Sequence, residues 1–353
     1  MSQNAASNGL PSPLTRTMKL SRRRISALLA GLGLAAFSLA AHAEGQIRIA
    51  QQFGISYLLL HVVQDQKLIE KHGKAQGLAI TPQWLQLSGG AAINDALLSG
   101  SIDIGGAGIG PMLTLWDRTR GRQNVRGVAS LGNTPYYLIS TNPNVRTVAD
   151  LTEKDRVALP AVGVSVQSRY LQLAAAKRWG DGGFNRLDKF TVTLPHPEAV
   201  AAIVRGGTEV NAHFATPPFQ EQELAANPKA RVILNSYDVL GGPSSPNALY
   251  ATEAFRKQNP KTYRAFVQAL ADASKLIAQQ PELAADIYLR VNNARLDREL
   301  LLKILRSPEV QFSLTPQNTF VLADFMARVG AIRNRPASVQ DYFFADAHLR
   351  GGS

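Results

Sequence analysis

Short runs of small and polar residues recur in this sequence where runs of apolar residues end. They are Gln52-Phe53-Gly54, Ser88-Gly89-Gly90, Ala107-Gly108-Ile109-Gly110-Pro111, Val162-Gly163-Val164-Ser165 and His213-Phe214-Ala215-Thr216-Pro217-Pro218. Small residues let a ligand approach the backbone, and a glycine-rich turn at a helix start presents free N–H groups and the positive end of the helix dipole. Ser88-Gly89-Gly90 fits this anion-binding chemistry best. A plain helix N-cap at Ser88 is an equally good interpretation.

Motifs for catalysis and metal binding fail when they are tested against the sequence. The glycine-rich run that ends at Pro111 is not a dinucleotide fingerprint, because proline occupies the last glycine position. The run around Ser165 lacks the closing glycine of a nucleophile elbow. After residue 43, no histidine has a partner at metal-binding spacing. Among the histidines, His213 is the one that the pattern predicts to lie in a cleft. The alternative is that His213 forms hydrogen bonds that support its own loop. We therefore expect no catalytic residues, no metal and no cofactor.

Strands alternate with helices along most of the sequence. The pattern predicts strands at 46–51, 79–87, 102–106, 125–129, 157–159, 190–194 and 210–214. It predicts helices at 57–70, 91–98, 169–179, 198–204, 260–279, 281–291 and 297–305. This alternation indicates an α/β fold with a largely parallel sheet. Ligands of open α/β sheets bind beyond the carboxyl ends of the strands, where the small-residue runs fall.

A weak internal repeat favours two similar halves. Residues 93–111 and 199–217 align at a constant offset of 106, which pairs Gly100 with Gly206 and Pro111 with Pro217. Each copy predicts a helix, a glycine turn, a short strand and a loop that ends in proline. Chance similarity between two ordinary helix–strand units is the alternative, because few residues are identical.

The composition of the 353 residues is that of a globular protein, with 45% hydrophobic residues and no cysteine. Disulfide frameworks, cysteine nucleophiles and lipid attachment through cysteine are thereby excluded. The length allows two domains of about 150 residues. The net charge of +12 raises the question of a nucleic-acid partner. The densest cationic group consists of Arg118, Arg120, Arg122 and Arg126. Because no aromatic residues are interleaved with these arginines, the group predicts a solvated helix end. We therefore expect no nucleic-acid partner.

The first 43 residues predict a secretory signal peptide. They hold five cations and no acidic residue, and the cations precede an apolar stretch at 25–41 and the small-residue pattern Ala41-His42-Ala43. Cleavage after Ala43 would reduce the net charge from +12 to +7 and give a periplasmic protein. The alternative is that the segment stays uncleaved and anchors the protein in the membrane. The sequence leaves open whether export uses the Sec or the twin-arginine route. It also leaves open whether the protein starts at Met1 or at Met18.

The runs LLSGSIDIGG, GVSVQSRYL and NAHFATPPF resemble the periplasmic substrate-binding components of ABC importers. The nitrate, sulfonate and taurine group is the nearest branch, with similarity also to thiamine-pyrimidine-precursor binders. The resemblance implies a type II periplasmic-binding-protein fold, in which two α/β lobes are joined by a two-segment hinge. Lobe I would comprise residues 44–134 and 246–353, and lobe II residues 135–245. The hinge would lie near 133–138 and 242–248.

The resemblance also assigns ligand-binding positions within the small-residue runs. They are Phe53, Gly54, Ser88, Gly89, Gly90, Gly108, Ile109, Val164, Ser165, His213 and Phe214. Sulfonate-binding members often have a Trp-Asp pair where this sequence has His213-Phe214, and the change suits a planar or partly apolar ligand. Arg169 is either a cation of the binding pocket or a surface residue of its helix.

The implied function is capture of a small anionic or heteroaromatic solute by lobe closure, followed by delivery to an ABC permease and its ATPase. Contact with the membrane would occur only through the permease, and a monomer is expected from the resemblance. Enzymes of the same fold, either a desulfinase or a pyrimidine-precursor synthase, are alternatives that the missing cysteines disfavour. An exported ligand sensor would have the same fold and pocket.

Overall fold

The computed structural model describes residues 44–353, so the predicted signal peptide and its cleavage site lie outside the described residues. The strands are β1 (Gln46–Gln51), β2 (Thr81–Gln86), β3 (Ile104–Gly108), β4 (Arg126–Ser130), β5 (Tyr137–Ser140), β6 (Val157–Leu159), β7 (Thr191–Thr193), β8 (Ala212–Phe214), β9 (Arg231–Asn235) and β10 (Asn247–Ala251).

The α-helices are α1 (Leu58–Asp65), α2 (Leu68–Ala75), α3 (Gly90–Leu98), α4 (Ile109–Thr119), α5 (Val166–Trp179), α6 (His196–Arg205), α7 (Phe219–Ala226), α8 (Ser236–Leu240), α9 (Glu253–Gln258), α10 (Pro260–Gln279), α11 (Pro281–Val291), α12 (Arg298–Leu305) and α13 (Phe320–Arg328). Short 3₁₀ segments span Ile55–Tyr57, Val148–Asp150, Asp181–Gly183, Asp188–Phe190, Val339–Asp341 and Ala347–Leu349. None of the helices within residues 44–353 is long and apolar enough to cross a membrane.

The strands form two five-stranded sheets of the same topology. The first sheet has the order β2-β1-β3-β10-β4 and the second the order β7-β6-β8-β5-β9. In each sheet the first two pairs are parallel and the last two are antiparallel. The predicted α/β class is confirmed, but the expected largely parallel sheet is wrong for half of the pairs. The difference arises because β10 and β5 each enter a sheet directly after a connection from the other sheet and run against both neighbours.

The polypeptide passes between the sheets twice. It leaves the first sheet between β4 and β5 and returns to it between α8 and β10. The two connections touch, because the Ser245 hydroxyl donates a hydrogen bond of 2.9 Å to Asn133 Oδ1. Both residues are buried, so the passages lie side by side inside the molecule.

Local sequence signals explain where most helices begin and end. Pro260 and Pro281 occupy the first turns of α10 and α11, whose bounds agree with the predicted ones. The single helix predicted at 57–70 is instead divided into α1 and α2, because Lys67 adopts a left-handed conformation with φ of 52°. The run predicted as a loop at 107–111 is the end of β3 and the first turn of α4.

Two apolar clusters stabilise the fold. One packs a face of the first sheet against α1, α2, α10, α11 and α12. The other runs continuously from the opposite face of that sheet to the second sheet. Helix α13 takes part in this second cluster through the ring of Phe325, which lies 6.5 Å from that of Phe184. The two sheets are therefore joined by apolar packing as well as by the two connections.

Candidate functional site

Loops that follow strands of the two sheets meet at a narrow gap. The gap is lined by Gln52, Phe53, Tyr57, Gly90, Gly108, Pro111, Tyr136, Ser165, Val166, Gln167, His196, Thr216 and Asn247. The space between its lining atoms is about 290 Å³, part of it open to solvent, but the centre of a water molecule can occupy only about 10 Å³ of that space. This is room for about one water molecule. The lining residues include no Asp, Glu, Lys or Arg within the described part of the protein.

The facing loops are in direct contact at the edge of the gap. The Ile55 amide donates a hydrogen bond of 2.9 Å to the Pro217 carbonyl oxygen. Gly54 has a φ of +113°, and a Cβ atom there would lie 3.1 Å from the same carbonyl oxygen. A Cβ atom on Gly108 would lie 2.7 Å from the Cβ of Val166, which belongs to the second sheet's side of the gap. The absence of side chains at these glycines permits the close approach.

Four helices start at the gap. The first residue of α3 is Gly90 and that of α6 is His196, while Gly108 and Ser165 are the N-caps of α4 and α5. The first N–H groups of a helix have no partner inside the helix and carry a partial positive charge. The positive ends of four helix dipoles thus lie at a gap whose described lining has no charged side chain, although the Ile109 N–H already donates to the Pro246 carbonyl oxygen and the Ser168 N–H to Ser165 Oγ. Such a site favours an anion.

The structure places the predicted ligand-binding residues in three settings. Phe53, Gly90, Gly108 and Ser165 line the gap. Others lie beside it: Gly54, Ser88, Gly89, Ile109 and Val164. His213 and Phe214 lie behind the gap and are fully buried.

The start of α3 decides between the two interpretations of Ser88-Gly89-Gly90. The N-cap is Gly89, which has no side chain to cap the helix, and Ser88 is exposed. A Cβ atom on Gly89 would lie 2.9 Å from the Pro160 carbonyl oxygen. The serine N-cap interpretation is therefore wrong. Binding of an anion at this helix start stays a prediction.

Comparison with known proteins identifies the family. The model of the NMT1-like family matches residues 57–290, which is well over half of the sequence. The chain belongs to the NMT1-like family. It is also similar to the taurine-binding periplasmic protein of Escherichia coli K12, with 26% identity over 213 residues. That match spans 60% of this chain and 60% of the relative's length.

Solved structures of binding proteins share the fold of this NMT1-like family member. The alkanesulfonate-binding protein of Xanthomonas axonopodis pv. citri, solved with MOPS bound, has a TM-score of 0.64 at 22% identity and covers 86% of this chain and 99% of its own. The nitrate-binding protein of Synechocystis PCC 6803 has a TM-score of 0.64 at 14% identity and covers 86% and 85%. The predicted periplasmic-binding-protein fold and the resemblance to the nitrate, sulfonate and taurine group are confirmed.

Several residues of the gap were not among the predicted ligand-binding positions, although three of them lie in the small-residue runs. They are Gln52, Tyr57, Pro111, Tyr136, Val166, Gln167, His196, Thr216 and Asn247. His196 had a signal, because the offset of 106 that aligns the two halves places it opposite Gly90. Tyr136 lies in the connection between β4 and β5, and Asn247 is the first residue of β10, directly after the other connection; the Asn247 amide donates a 2.6 Å hydrogen bond to the Tyr136 hydroxyl. No local motif marks such a pair.

A buried network of four side chains extends from the gap into the second half of the protein. Glu223 Oε1 lies 2.5 Å from His213 Nδ1, and His213 Nε2 lies 2.7 Å from His196 Nδ1. His196 Nε2 in turn lies 3.1 Å from the amide nitrogen of Gln167. All four residues are less than 6% exposed, and the last two line the gap. We call these four residues the buried network.

Burial governs the protonation of the buried network. It lowers the pKa of His213 to about 3. It also lowers the pKa of His196 well below the ordinary value, with a further contribution from the neighbouring His213. In the opposite sense, burial raises the pKa of Glu223 to about 9. The directions favour two neutral imidazoles and a neutral carboxyl group at neutral pH.

Arg169 fits neither of its two predicted roles. It is 9% exposed and its Nη1 donates a hydrogen bond of 2.8 Å to Gln172 on the same helix. Burial lowers the pKa of its guanidinium. It is neither a surface residue nor among the residues that line the gap. Within residues 44–353, no three His, Asp or Glu side chains converge as a metal site would require.

Proposed function

We propose that this protein is the solute-binding component of an ABC importer and that it captures a small anion in the gap between its two sheets. The observation that carries the proposal is the convergence of four helix starts on a gap lined by uncharged residues. Backbone N–H groups and helix dipoles attract an anion there, and a cation would have no carboxylate to bind.

Lobe closure is the mechanism that we propose for capture. The lobes are residues 44–134 with 246–353, and residues 135–245, joined by the two connections between the sheets. The gap has room for about one water molecule, so this conformation corresponds to the closed state. A solute larger than water enters after the lobes move apart and is held when contacts to both lobes favour closure.

Ligand contact in this proposal comes from residues of both lobes. Phe53, Gly90 and Gly108 contribute from lobe I, and Ser165, Gln167 and His196 from lobe II. The buried His213 and Phe214 support these residues from behind rather than touching the solute.

The relatives favour an oxyanion as the solute. Their names specify taurine, an alkanesulfonate and nitrate, each of which presents negatively charged oxygens. In this proposal the protein is exported by the segment 1–43, acts as a monomer in the periplasm and delivers its solute to a permease with its ATPase. The described residues of the gap give the enzyme alternative no support, because His196 Nε2 contacts the Gln167 amide and the Ser165 hydroxyl accepts a hydrogen bond from the Ser168 N–H.

Titration calorimetry on residues 44–353 tests the proposal. The probes are taurine, butanesulfonate and nitrate, with tetramethylammonium as the cationic comparison. We expect saturable one-to-one binding of at least one oxyanion and none of the cation. Binding of the cation alone, or of none of the three oxyanions, would contradict the proposal.

A further inference from the structure

The buried network has a defined polarity. A neutral imidazole has one N–H donor and one nitrogen acceptor, so a hydrogen bond donated to one side of the ring fixes the bond on the other side. His213 and His196 are bonded at both ring nitrogens. The direction of the bond at Glu223 therefore determines the direction of every bond as far as Gln167.

Two arrangements satisfy all the bonds of the buried network. If Glu223 is ionised, His213 and His196 carry their protons on Nδ1, and the Gln167 amide nitrogen donates to His196. If the network holds one more proton, that proton lies between Glu223 and His213, both rings carry a proton on Nε2, and His196 donates to the Gln167 carbonyl oxygen. Interconversion of the two arrangements requires uptake or release of one proton by the network, together with a half-turn of the Gln167 amide that exchanges its nitrogen and oxygen.

We propose that the proton count of the buried network sets the orientation of the Gln167 amide and so decides whether the gap offers its ligand a hydrogen-bond donor or an acceptor. This inference rests on the proposed function, because it assumes that the gap binds the solute. Gln167 is the residue that determines specificity. Glu223, His213 and His196 are positioning residues that act through it.

The surroundings of Glu223 favour the arrangement with the additional proton. Its carboxyl group is fully buried, and its second oxygen has no hydrogen-bond partner among the described residues. An ionised carboxylate with an unpartnered buried oxygen is far more costly than a neutral carboxyl group. Within residues 44–353, no Lys or Arg nitrogen lies within 4.0 Å of it.

The other titratable groups near Glu223 do not reverse this preference. His213 on β8 and His196 on α6 are buried, and burial lowers the pKa of each. Glu221, on the same helix as Glu223, adds a further acidic group. The remaining charged residues of α6, the helix packed against α7, are exposed; they are Glu198 and Arg205. At neutral pH the Gln167 amide should therefore be rotated by half a turn from its orientation in the structure, in which its nitrogen lies against His196 Nε2, so that its NH₂ group faces the gap and donates to an oxyanion.

Nitrogen-15 NMR of the histidine rings tests the inference without a ligand. On residues 44–353 at pH 7, long-range correlation spectra report which ring nitrogen carries the proton. We expect both His213 and His196 as Nε2–H tautomers, and the same result in Glu221→Gln, a matched control outside the network. Nδ1–H tautomers of both rings at pH 7 would overturn the inference.

Binding measurements complete the test and separate it from the proposed function. Gln167→Leu should weaken butanesulfonate binding about ten- to hundredfold, the range for loss of a hydrogen bond to a charged group. Unchanged binding in this variant would overturn the role of Gln167. Nε2–H tautomers without binding of any oxyanion would refute the proposed function, whereas Nδ1–H tautomers with oxyanion binding would refute this inference alone.

Discussion

The amide of Ile55 donates a hydrogen bond of 2.9 Å to the carbonyl oxygen of Pro217, although the two residues follow strands of different sheets. Ile55 comes after β1 of the first sheet and Pro217 after β8 of the second. If the proposed lobes separate, this bond must break. Opening then exposes both backbone groups to water, which replaces the bond at modest net cost.

The close approach of Gly108 to Val166 gives a first prediction. Gly108→Ala should destabilise the closed conformation, because the added Cβ would lie 2.7 Å from the Val166 Cβ. We expect the free energy of unfolding to fall by about 1–3 kcal/mol, the usual cost of overpacking a tight contact. Urea unfolding of the variant measures it.

Gly182→Ala is the matched control for the Gly108 variant. Gly182 is exposed, and a Cβ atom there would have no neighbour within 4 Å in the described structure. Its stability should stay within about 0.5 kcal/mol of the original protein. Equal effects at both positions would contradict the close contact across the gap.

Two phenylalanines near the gap should respond differently to truncation. Phe53 is partly exposed and lines the gap, so Phe53→Ala should weaken oxyanion binding about tenfold and change stability little. Phe214 is fully buried with its ring 6.4 Å from that of Tyr170, so Phe214→Ala should cost about 3–5 kcal/mol of stability. Calorimetry and urea unfolding of both variants measure these effects. A stable Phe214→Ala protein that has lost only ligand binding would show that this ring touches the solute.

Stability should fall as the pH rises above neutrality. Burial raises the pKa of Glu223 from an ordinary 4.5 to about 9, so between these values the folded protein holds a proton that the unfolded chain has released. The free energy of unfolding then decreases with pH by up to about 1.4 kcal/mol per unit. The histidines oppose this slope near pH 7, because burial lowers their pKa values while the unfolded histidines, with an ordinary pKa of 6.5, still hold part of a proton there; by pH 8 both states are essentially neutral. Urea unfolding at pH 7, 8 and 9 measures the slope.

Two variants identify the source of that slope. Glu223→Gln cannot ionise and should abolish most of the decrease between pH 7 and 9. Glu221→Gln should preserve most of it, because burial raises the pKa of Glu221 only to about 7 and its contribution fades within about one pH unit above that value. A slope that survives in Glu223→Gln would assign the titration to another group.

The sequence predicts the regular elements where local signals coincide. The helices α10 and α11 have a proline in the first turn and a clear apolar face, and their bounds were predicted to the residue. The strands β5, β9 and β10 were missed. Two of them, β5 and β10, follow connections between the sheets, and all three pair with strands distant in the sequence, so no local pattern marks them.

The candidate site shows the same difference between residues that a local sequence pattern reveals and residues that contacts distant in the sequence bring into place. Strand-end reasoning found Phe53, Gly90 and Gly108, because the position of a loop after a strand is visible in the sequence. It ranked His213 above His196, although the structure places His196 at the gap and His213 behind it. Only the side-chain packing of β8 against α6 and α7 determines that order.

Opening and closing of the gap can be followed with spin labels, because the protein has no cysteine of its own. Ser88→Cys and Val162→Cys place labels on exposed residues of facing loops, Ser88 beside α3 and Val162 before α5. Without ligand we expect a distance distribution with a long component from open molecules. An oxyanion that binds in calorimetry should shift the population to the short component, since closure needs only a few kcal/mol of differential binding.

A second pair of labels shows whether such a shift reports movement between the lobes. Val162→Cys with Val232→Cys places both labels on exposed residues of the second sheet's half. Their distance should not change when the oxyanion is added, because both labels lie within the proposed lobe II. A ligand-induced change in both pairs would indicate rearrangement of the loop around Val162. A change in neither pair, together with oxyanion binding in calorimetry, would show that the solute enters without separation of the lobes and would refute closure as the mechanism.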